Sequence, residues 1–307
     1  MRKNSLSLES KIGHTPVVRL KRIEKMFGFQ NHIYAKLEGQ NPSGSTKDRA
    51  ALYMLKDGVK RGVIKDGTWV VEPTSGNLGI SLAMLSSSFG YNARIVMPSS
   101  LSSERSSLIS AYGGEIVYVN GGMSEARDCV AEIIKNTKNS VTLSQFTNKN
   151  NTRAHNLTTG PEIFYQMRGA IDVFVAGVGS GGSISGTGGY LKRRNSFVRL
   201  IAVQPSSSQN LTGGKVGSHG IFGIGADFLP PLFDSAMVDE VVSVSDFEAV
   251  QMTRMISKAE GILVGVSSGA TLSAAYKIDS KIGEGRNVVI LFADRGERYL
   301  STGLFDE

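Results

Sequence analysis

A lysine inside a turn-forming segment is the first residue of this chain whose position suits chemistry. Lys47 lies in the segment NPSGSTKDR, residues 41–49, directly before a stretch of helical period. The positive end of a helix dipole disfavours an ammonium ion, which helps the lysine become the neutral amine that a Schiff base requires. A phosphate P-loop would need Gly-Lys-Ser/Thr, whereas Lys47 follows Thr46 and precedes Asp48. An ordinary surface lysine is the alternative interpretation of this position.

Two further segments place hydroxyl groups where helices begin. The segment EPTSGN, residues 72–77, follows a predicted strand and offers two hydroxyls, an amide and free backbone N–H groups. Such donors suit a carboxylate, although Thr74 or Ser75 could equally serve only as a helix cap. The segment GILVGVSSGA, residues 261–270, places two hydroxyls at another predicted helix start. By itself that second segment is typical of a cap.

A glycine-rich loop, residues 177–186, follows the predicted strand VFVA and leads into a helix. Its small residues let backbone N–H groups approach an anion closely, which favours a phosphate cradle. Gly177, Gly179 and Gly182 also satisfy the dinucleotide pattern G-x-G-x-x-G. That reading requires an acidic residue at the end of the next strand, where this chain has Gln204. The loop therefore favours a phosphate over a dinucleotide.

These loops depend on strands and helices that alternate along the chain. Runs rich in Val and Ile are separated by longer stretches of helical period, and the predicted strands are HIYAKLEG, TWVVEP, ARIVMP, EIVYVN, VTLSQF, VFVAGV, VRLIAVQP, EVVSVS and NVVILFAD. The alternation predicts an α/β fold in which helices cover both faces of parallel sheets. Loops that follow the carboxyl ends of such strands are where open α/β sheets bind ligands.

Composition limits the possible classes of protein. The 307 residues are enough for about two domains, and 40% hydrophobic with 20% charged residues indicates a globular chain. The net charge is +7, but the sequence lacks the basic and aromatic pattern that is typical of nucleic-acid binding. It also contains no run of roughly 18 apolar residues that would indicate a membrane span. One cysteine and four scattered histidines indicate neither a disulfide framework nor a metal site. We expect a cytoplasmic protein, because the first residues also lack an apolar targeting segment.

Taken in order, the segments resemble the cysteine synthase (O-acetylserine sulfhydrylase) and cystathionine β-synthase family of pyridoxal-phosphate enzymes. The resemblance runs from KIGHTPVVRL to GERYLSTGLF and rests on NPSGSTKDR, EPTSGN, QFTN with TTGPEI, GVGSGGSISG, GIGADFLP and GILVGVSSGA. It implies fold type II, the fold of the tryptophan synthase β chain, with two α/β domains that each have a mostly parallel sheet flanked by helices. We expect a large phosphate-binding domain from residues 1–44 and 149–307, a smaller substrate-loop domain from residues 45–148, and a homodimer.

The resemblance also implies a role for individual residues. Lys47 would form the Schiff base with pyridoxal phosphate and act as base and acid at the substrate Cα. The remaining cofactor contacts would come from Asn77 at the 3′-oxygen, Ser267 at the pyridine nitrogen, and Gly179, Ser180, Gly181, Gly182 and Ser183 at the phosphate. Thr74, Ser75 and Gln145 would hold the substrate carboxylate. The implied reaction is β-elimination and β-replacement through an aminoacrylate. Cysteine synthesis from an activated serine and sulfide is the favoured activity, followed by cysteine breakdown to sulfide and then by cystathionine formation.

Two residues depart from the family pattern. Leu78 stands where TSGNT has Thr, and Asp227 stands where GIGAGF has Gly. A carboxylate at position 227 would repel hydrosulfide, yet it could deprotonate a water or a thiol, so a cysteine-consuming, sulfide-releasing enzyme is an alternative with Asp227 as base. A tolerated loop substitution is the other interpretation of Asp227. The alternative to an enzyme is a non-catalytic sensor or scaffold protein. The presence of Lys47, Asn77 and Ser267 together counts against that alternative.

Overall fold

Strands and helices alternate through most of the chain, as the sequence pattern predicts. The structure is a computed structural model that describes residues 7–74, 76–99 and 102–306. The strands are β1 Val17–Arg19, β2 His32–Leu37, β3 Trp69–Pro73, β4 Asn92–Pro98, β5 Glu115–Val119, β6 Ser140–Val141, β7 Val173–Gly177, β8 Arg199–Pro205, β9 Glu240–Val244 and β10 Asn287–Phe292. The helices are α1 Lys21–Phe27, α2 Lys47–Lys60, α3 Asn77–Phe89, α4 Ser103–Ala111, α5 Met123–Asn136, α6 Lys149–Leu157, α7 Thr159–Gln166, α8 Gly182–Arg194, α9 Asp246–Glu260 and α10 Val266–Ile278.

The strands form two sheets. One has six strands in the order β1-β2-β10-β7-β8-β9, and the other has four in the order β5-β4-β3-β6. Among the described strands, every pairing is parallel except that of β1 with β2, which is antiparallel. The predicted α/β architecture with two mostly parallel sheets is therefore confirmed. In the centre of the larger sheet, Ile290 of β10 pairs with Ala35 of β2 and with Val175 of β7.

Alternate residues of the central strands enter different cores. On one face of the larger sheet, Val175 packs in a cluster with Ile256 of α9 and Leu272 of α10. On the other face, Phe174 packs in a cluster with Leu191 of α8. This alternation follows from the period of two along a strand, and it explains why the central strands read as continuous hydrophobic runs.

The smaller sheet is also covered on both faces. Val70 of β3 packs with the helices α2 and α3, whereas its neighbour Val71 packs with Val130 of α5. All four strands of this sheet lie within residues 45–148, and the exact domain boundaries stay a prediction. Among the described residues, no helix combines the length and apolar character needed to cross a membrane.

Two strand predictions need correction. The antiparallel edge strand β1 was absent from the predicted strands, because three residues are too few to show a period. The segment VTLSQF was predicted as a strand, but only Val141 of it lies in β6. The next residues leave the sheet because the buried carboxylate of Glu72 accepts their backbone N–H groups.

Candidate active site

The segment before α2 fixes the position of Lys47. Ser45 forms an isolated antiparallel bridge with Asp294, just beyond the end of β10, and Thr46 N donates to the carbonyl of Ala293 at 2.8 Å. Lys47 is the first residue of α2 and lines a cavity of about 490 Å³ between the two sheets. The lysine is thus placed by the carboxyl end of a central strand, which sequence reasoning could not identify.

A buried carboxylate next to this lysine joins α2 to α3. Asp48 accepts hydrogen bonds from the backbone N–H of Ser43 at 2.7 Å, from the Ser43 hydroxyl, and from the hydroxyl of Ser81 at 2.6 Å. Burial raises the pKa of Asp48, and the hydroxyl donors oppose this shift. Since Ser81 belongs to α3, Asp48 holds the helix of Lys47 against the helix that begins at Asn77.

The environment of Lys47 favours its neutral form. Burial lowers the pKa of the Lys47 amine, and the negative charge of Asp294 opposes that shift. The amine makes no hydrogen bond to any residue in the described part of the chain. The sequence argument expected a lowered pKa from the helix start alone, whereas the structure adds burial as its main cause.

A network from the other sheet orients the Asn77 side chain. Asn77 Nδ2 donates to Asp294 Oδ2 at 2.7 Å, and Arg298 Nη1 donates to Asn77 Oδ1 at 2.5 Å. Tyr299 donates its hydroxyl to the same Asp294 oxygen at 2.6 Å, and burial raises the pKa of Tyr299, which keeps it a donor. The amide therefore has one defined orientation, with its second N–H left for a ligand. Asp294 lies two residues after the end of β10, a signal that sequence reasoning had available and missed.

Glu72, at the end of β3, organises the substrate loop. Its carboxylate accepts backbone hydrogen bonds from Leu143 at 2.9 Å, Ser144 at 3.1 Å and Gln145 at 3.0 Å. Gln145 Nε2 in turn donates to the carbonyl of Pro73 at 3.3 Å. Glu72 thus brings Gln145 to the loop that carries Thr74. Sequence reasoning missed this residue, although a carboxylate at the end of a buried strand was the available signal.

The glycine loop lies at the start of α8 and is tightly enclosed. An added Cβ at Gly179 would lie 2.4 Å from the carbonyl oxygen of Gly223, and one at Gly181 would lie 2.5 Å from the backbone nitrogen of Phe233. Gly181 also has a φ of +85°, which disfavours any other residue. Asn151 Nδ2 donates to Ser180 Oγ at 2.9 Å and to the Gln145 carbonyl at 2.9 Å, which links this loop to the substrate loop.

We expect the substitution Gly179→Ala to disrupt this loop. The new methyl group would push a backbone carbonyl, so we expect a loss of about 1–3 kcal/mol in the free energy of unfolding and weaker binding of pyridoxal phosphate. Gly189→Ala in α8 is the matched control, because the nearest atoms to its Cβ are 3.6 Å away. This control should leave cofactor binding unchanged and stabilise the helix by up to about 1 kcal/mol. Urea unfolding and a cofactor titration measure both effects, and equal behaviour of the two variants would contradict the prediction.

The structure brings the predicted site residues together. Of the predicted site residues, those that line the cavity are Lys47, Thr74, Asn77, Gln145, Gly179, Ser180, Gly181, Ser183, Asp227 and Ser267. Gly182 lies behind the loop, where an added Cβ would be 2.2 Å from Asn151 Oδ1. Ser75 lies outside the described residues. Leu78 is buried and lines the cavity, so the position adds no hydroxyl to it.

Asp227 lies at the exposed rim of the cavity. The flanking carbonyls of Ala226 and Phe228 both accept from Asn210 Nδ2, which fixes the loop. The Phe228 ring lies 5.0 Å from the Phe146 ring and 5.0 Å from the Arg127 guanidinium. Through these contacts, the loop that carries Asp227 packs against residues on the side of the smaller sheet.

Comparisons with known proteins agree with this geometry. The family model described as "Pyridoxal-phosphate dependent enzyme" matches residues 8–294. A cysteine synthase of Staphylococcus aureus is 42% identical over 96% of this chain and 95% of its own length. A hydrogen sulfide-producing enzyme of Fusobacterium nucleatum is 40% identical with a TM-score of 0.93, over 96% of this chain and 100% of that one. A cysteine synthase of Entamoeba histolytica is 37% identical with a TM-score of 0.94, over 100% and 93% of the two chains.

Proposed function

Because the chain belongs to the family of pyridoxal-phosphate dependent enzymes, we propose that it synthesises cysteine from an activated serine and sulfide. Its cofactor is pyridoxal phosphate, and its reaction class is cysteine synthase-like β-replacement on an amino acid. The single observation that carries the proposal is the convergence of Lys47, Asn77, Ser267 and the glycine loop on one cavity. A sensor without catalysis would not need a lysine in this position.

The cavity fits the cofactor. The Lys47 amine and the Ser267 hydroxyl both line it and make no hydrogen bond to the described residues, so each is available to a ligand. The close packing around Gly179 and Gly181 leaves backbone N–H groups, rather than side chains, to face a phosphate. In this proposal Lys47 would hold the cofactor at its aldehyde carbon, Asn77 would bind the 3′-oxygen, Ser267 would face the ring nitrogen, and the 179–183 loop would bind the phosphate.

The proposed roles of the side chains follow from their environments. When bound, the cofactor supplies an electron sink for negative charge at the substrate Cα. Lys47, as a neutral amine, removes the Cα proton and later returns it. Ser267 offers the ring nitrogen a neutral hydroxyl, and the absence of a carboxylate there favours loss of the β-substituent over transamination. Thr74 and Gln145 hold the substrate carboxylate on the side of the smaller sheet.

A second candidate function rests on Asp227. Its carboxylate at the cavity rim favours delivery of water or a thiol over delivery of an anionic sulfide, and one similar structure is that of a hydrogen sulfide-producing enzyme. In this alternative, L-cysteine is the donor, sulfide leaves, and Asp227 deprotonates water to give serine or a thiol to give lanthionine or cystathionine. In this argument, the side chain of Asp227 is the feature that distinguishes the two candidate reactions, which belong to the same class.

One experiment separates the two candidates. The holoprotein is given O-acetylserine or L-cysteine while the visible spectrum, sulfide and amino-acid products are measured. A synthase changes its spectrum with O-acetylserine and then forms cysteine when sulfide is added, whereas the alternative releases sulfide from L-cysteine. If Asp227 is the base, Asp227→Asn should lower serine or thioether formation from cysteine by about 10²–10⁴-fold. Asp66→Asn, at an exposed position outside the cavity, is the control, and unchanged product formation by Asp227→Asn would exclude the role.

We also propose that the protein acts as a homodimer in the cytoplasm. The dimer is supported by the family resemblance, and the location is supported by the single cysteine, Cys129, which suits a reducing compartment. Its partners are then a small amino acid together with sulfide, a thiol or water.

A further inference from the structure

Arg105 is a buried cation without a carboxylate partner. Its side chain belongs to α4 and is almost fully enclosed, with 2% of the residue exposed. Nη1 donates to Ser102 Oγ at 2.7 Å, while the buried Nε has no hydrogen-bond partner. In the described part of the chain, no carboxylate forms an ion pair with this guanidinium. Since an unpaired buried charge is costly, its position calls for an anion that the protein itself does not supply.

The guanidinium lies beside the loop that is proposed to hold the substrate carboxylate. Arg105 lines the cavity and stacks over the rings of Tyr299 at 4.7 Å and Phe222 at 5.3 Å. An added Cβ at Gly76 would lie 2.5 Å from Arg105 Nε. Gly76 stands between Thr74 and Asn77, so an anion bound to this loop comes next to the Arg105 charge.

The other charges around the cavity leave this role to Arg105. Among the described lining residues, Lys47, Arg105 and Asp227 are of charged types, and His219 and Tyr299 are the other ionisable side chains. Burial favours the neutral form of Lys47, and Asp227 lies at the exposed rim. His219 Nε2 is engaged with the Gly225 carbonyl at 2.9 Å. Among the described lining residues, Arg105 is thus the only guanidinium, and it lies in the enclosed part of the cavity.

We propose that Arg105 provides the counter-charge for the α-carboxylate of the amino-acid substrate and so selects substrates with a free carboxylate. The inference rests on the proposed function and extends its substrate site by one residue. The Thr74 hydroxyl, the Gln145 amide and the loop N–H groups are neutral donors, which orient a carboxylate but cannot neutralise it. The guanidinium adds a full positive charge in a setting of low dielectric, where it acts strongly.

The test compares two ligands that cannot lose a β-substituent, L-alanine and L-alaninamide. Calorimetric titration of the holoprotein measures the affinity of each for the wild type and for Arg105→Met. We expect Arg105→Met to weaken L-alanine binding by about 30-fold or more and L-alaninamide binding by less than about 3-fold. Arg94→Met is the matched control, because Arg94 also stacks on an aromatic ring, Trp69 at 4.4 Å, but lies outside the cavity. It should leave both affinities unchanged.

Each outcome decides a separate question. Equal weakening for both ligands, or no change for either, would overturn the role of Arg105 and leave it a structural residue. Wild-type protein that shows no visible cofactor band after addition of pyridoxal phosphate, and that binds neither ligand, would contradict the proposed function instead. If circular dichroism shows that Arg105→Met does not fold, Arg105→Gln, which keeps a donor for Ser102, carries the same expected difference between the two ligands.

Discussion

Replacement of Lys47 by alanine is expected to lower cysteine formation at least about 10³-fold, the largest catalytic effect in this protein. The amine is the group proposed both to hold the cofactor and to move the Cα proton, and no second lysine lines the cavity within the described residues. Turnover with O-acetylserine and sulfide measures the loss. Borohydride reduction of the wild-type holoprotein, followed by peptide mass spectrometry, should locate the cofactor on the peptide that contains Lys47.

The control for this prediction lies on the same helix. Lys60 is the last residue of α2 and is exposed, so Lys60→Ala should keep full turnover. Lys47→Ala should keep the secondary structure of the wild type, since no hydrogen bond of the Lys47 amine to the described residues is lost. The role of Lys47 is refuted if this variant retains a tenth of the activity, or if the cofactor maps to another lysine.

Arg49→Met is expected to lower the free energy of unfolding by about 3–5 kcal/mol, the largest stability effect we predict. Arg49 and Glu38 are both fully buried, and the Arg49 atoms Nε and Nη2 each donate to a Glu38 oxygen at 2.7 Å. Arg49 Nη1 also donates to Glu162 Oε1 at 2.6 Å. Methionine fills a similar volume but leaves the buried Glu38 without its hydrogen-bonded counter-charge. Urea unfolding at neutral pH measures the difference.

The effect of Arg49→Met should also depend on pH. Burial acts to raise the pKa of Glu38, but the charge and hydrogen bonds of Arg49, the Lys36 charge and the Thr15 hydrogen bond together outweigh it and lower this pKa to about 2. In the wild type, the ionised Glu38 contributes stability that is fully present above its unfolded pKa of about 4.3 and is lost as the pH falls through about 2. Without Arg49, the largest contribution that opposes burial is lost, so the pKa of Glu38 rises. Protonation of the carboxyl in acid then removes the unpaired buried charge and destabilises the variant less than the wild type. We therefore expect the stability gap between the two proteins to narrow as the pH falls from about 6 to about 3.

A surface arginine that directly follows the same helix tests whether burial is the cause. Arg61 pairs with Asp57 at 2.7 Å, one helical turn away, with more than half of its side chain exposed at 58%. Arg61→Met should cost less than about 1 kcal/mol at every pH. A pH-independent gap for Arg49→Met, or a loss as small as that of Arg61→Met, would refute the argument from the buried pair.

The position of Arg49 links this stability prediction to the site. Arg49 is two residues after Lys47, and its partner Glu162 also accepts from Lys36 Nζ of β2 at 2.7 Å. The start of α2 is thereby anchored to β2 and α7 while Asp48 anchors it to α3. Of three consecutive residues, Lys47 thus lines the cavity, Asp48 binds to α3, and Arg49 binds to α7. The motif alone does not reveal these different roles.

Much of the fold was accessible from local sequence patterns. The alternation of β-branched runs with helical stretches predicted the α/β class, and α2, α3 and α8 begin at Lys47, Asn77 and Gly182, within the loops that the sequence singled out. Local patterns failed for β1 and for most of VTLSQF. The first is too short to show a period, and the second is drawn out of the sheet by Glu72, a contact 71 residues away at Leu143.

Local sequence patterns were enough to predict the fold class, the glycine loop and the importance of the lysine, because periodicity, glycine spacing and helix starts depend on near neighbours in the chain. Local patterns could not predict which side chains contact each other across the two sheets. Asn77 reaches Asp294 across 217 residues, and Arg105 of α4 stacks on Tyr299 near the end of the chain. Such contacts depend on how two sheets pack, and the burial of charge that they create has no local signature. For this reason, the lack of a carboxylate partner for Arg105 can be recognised only from the three-dimensional structure.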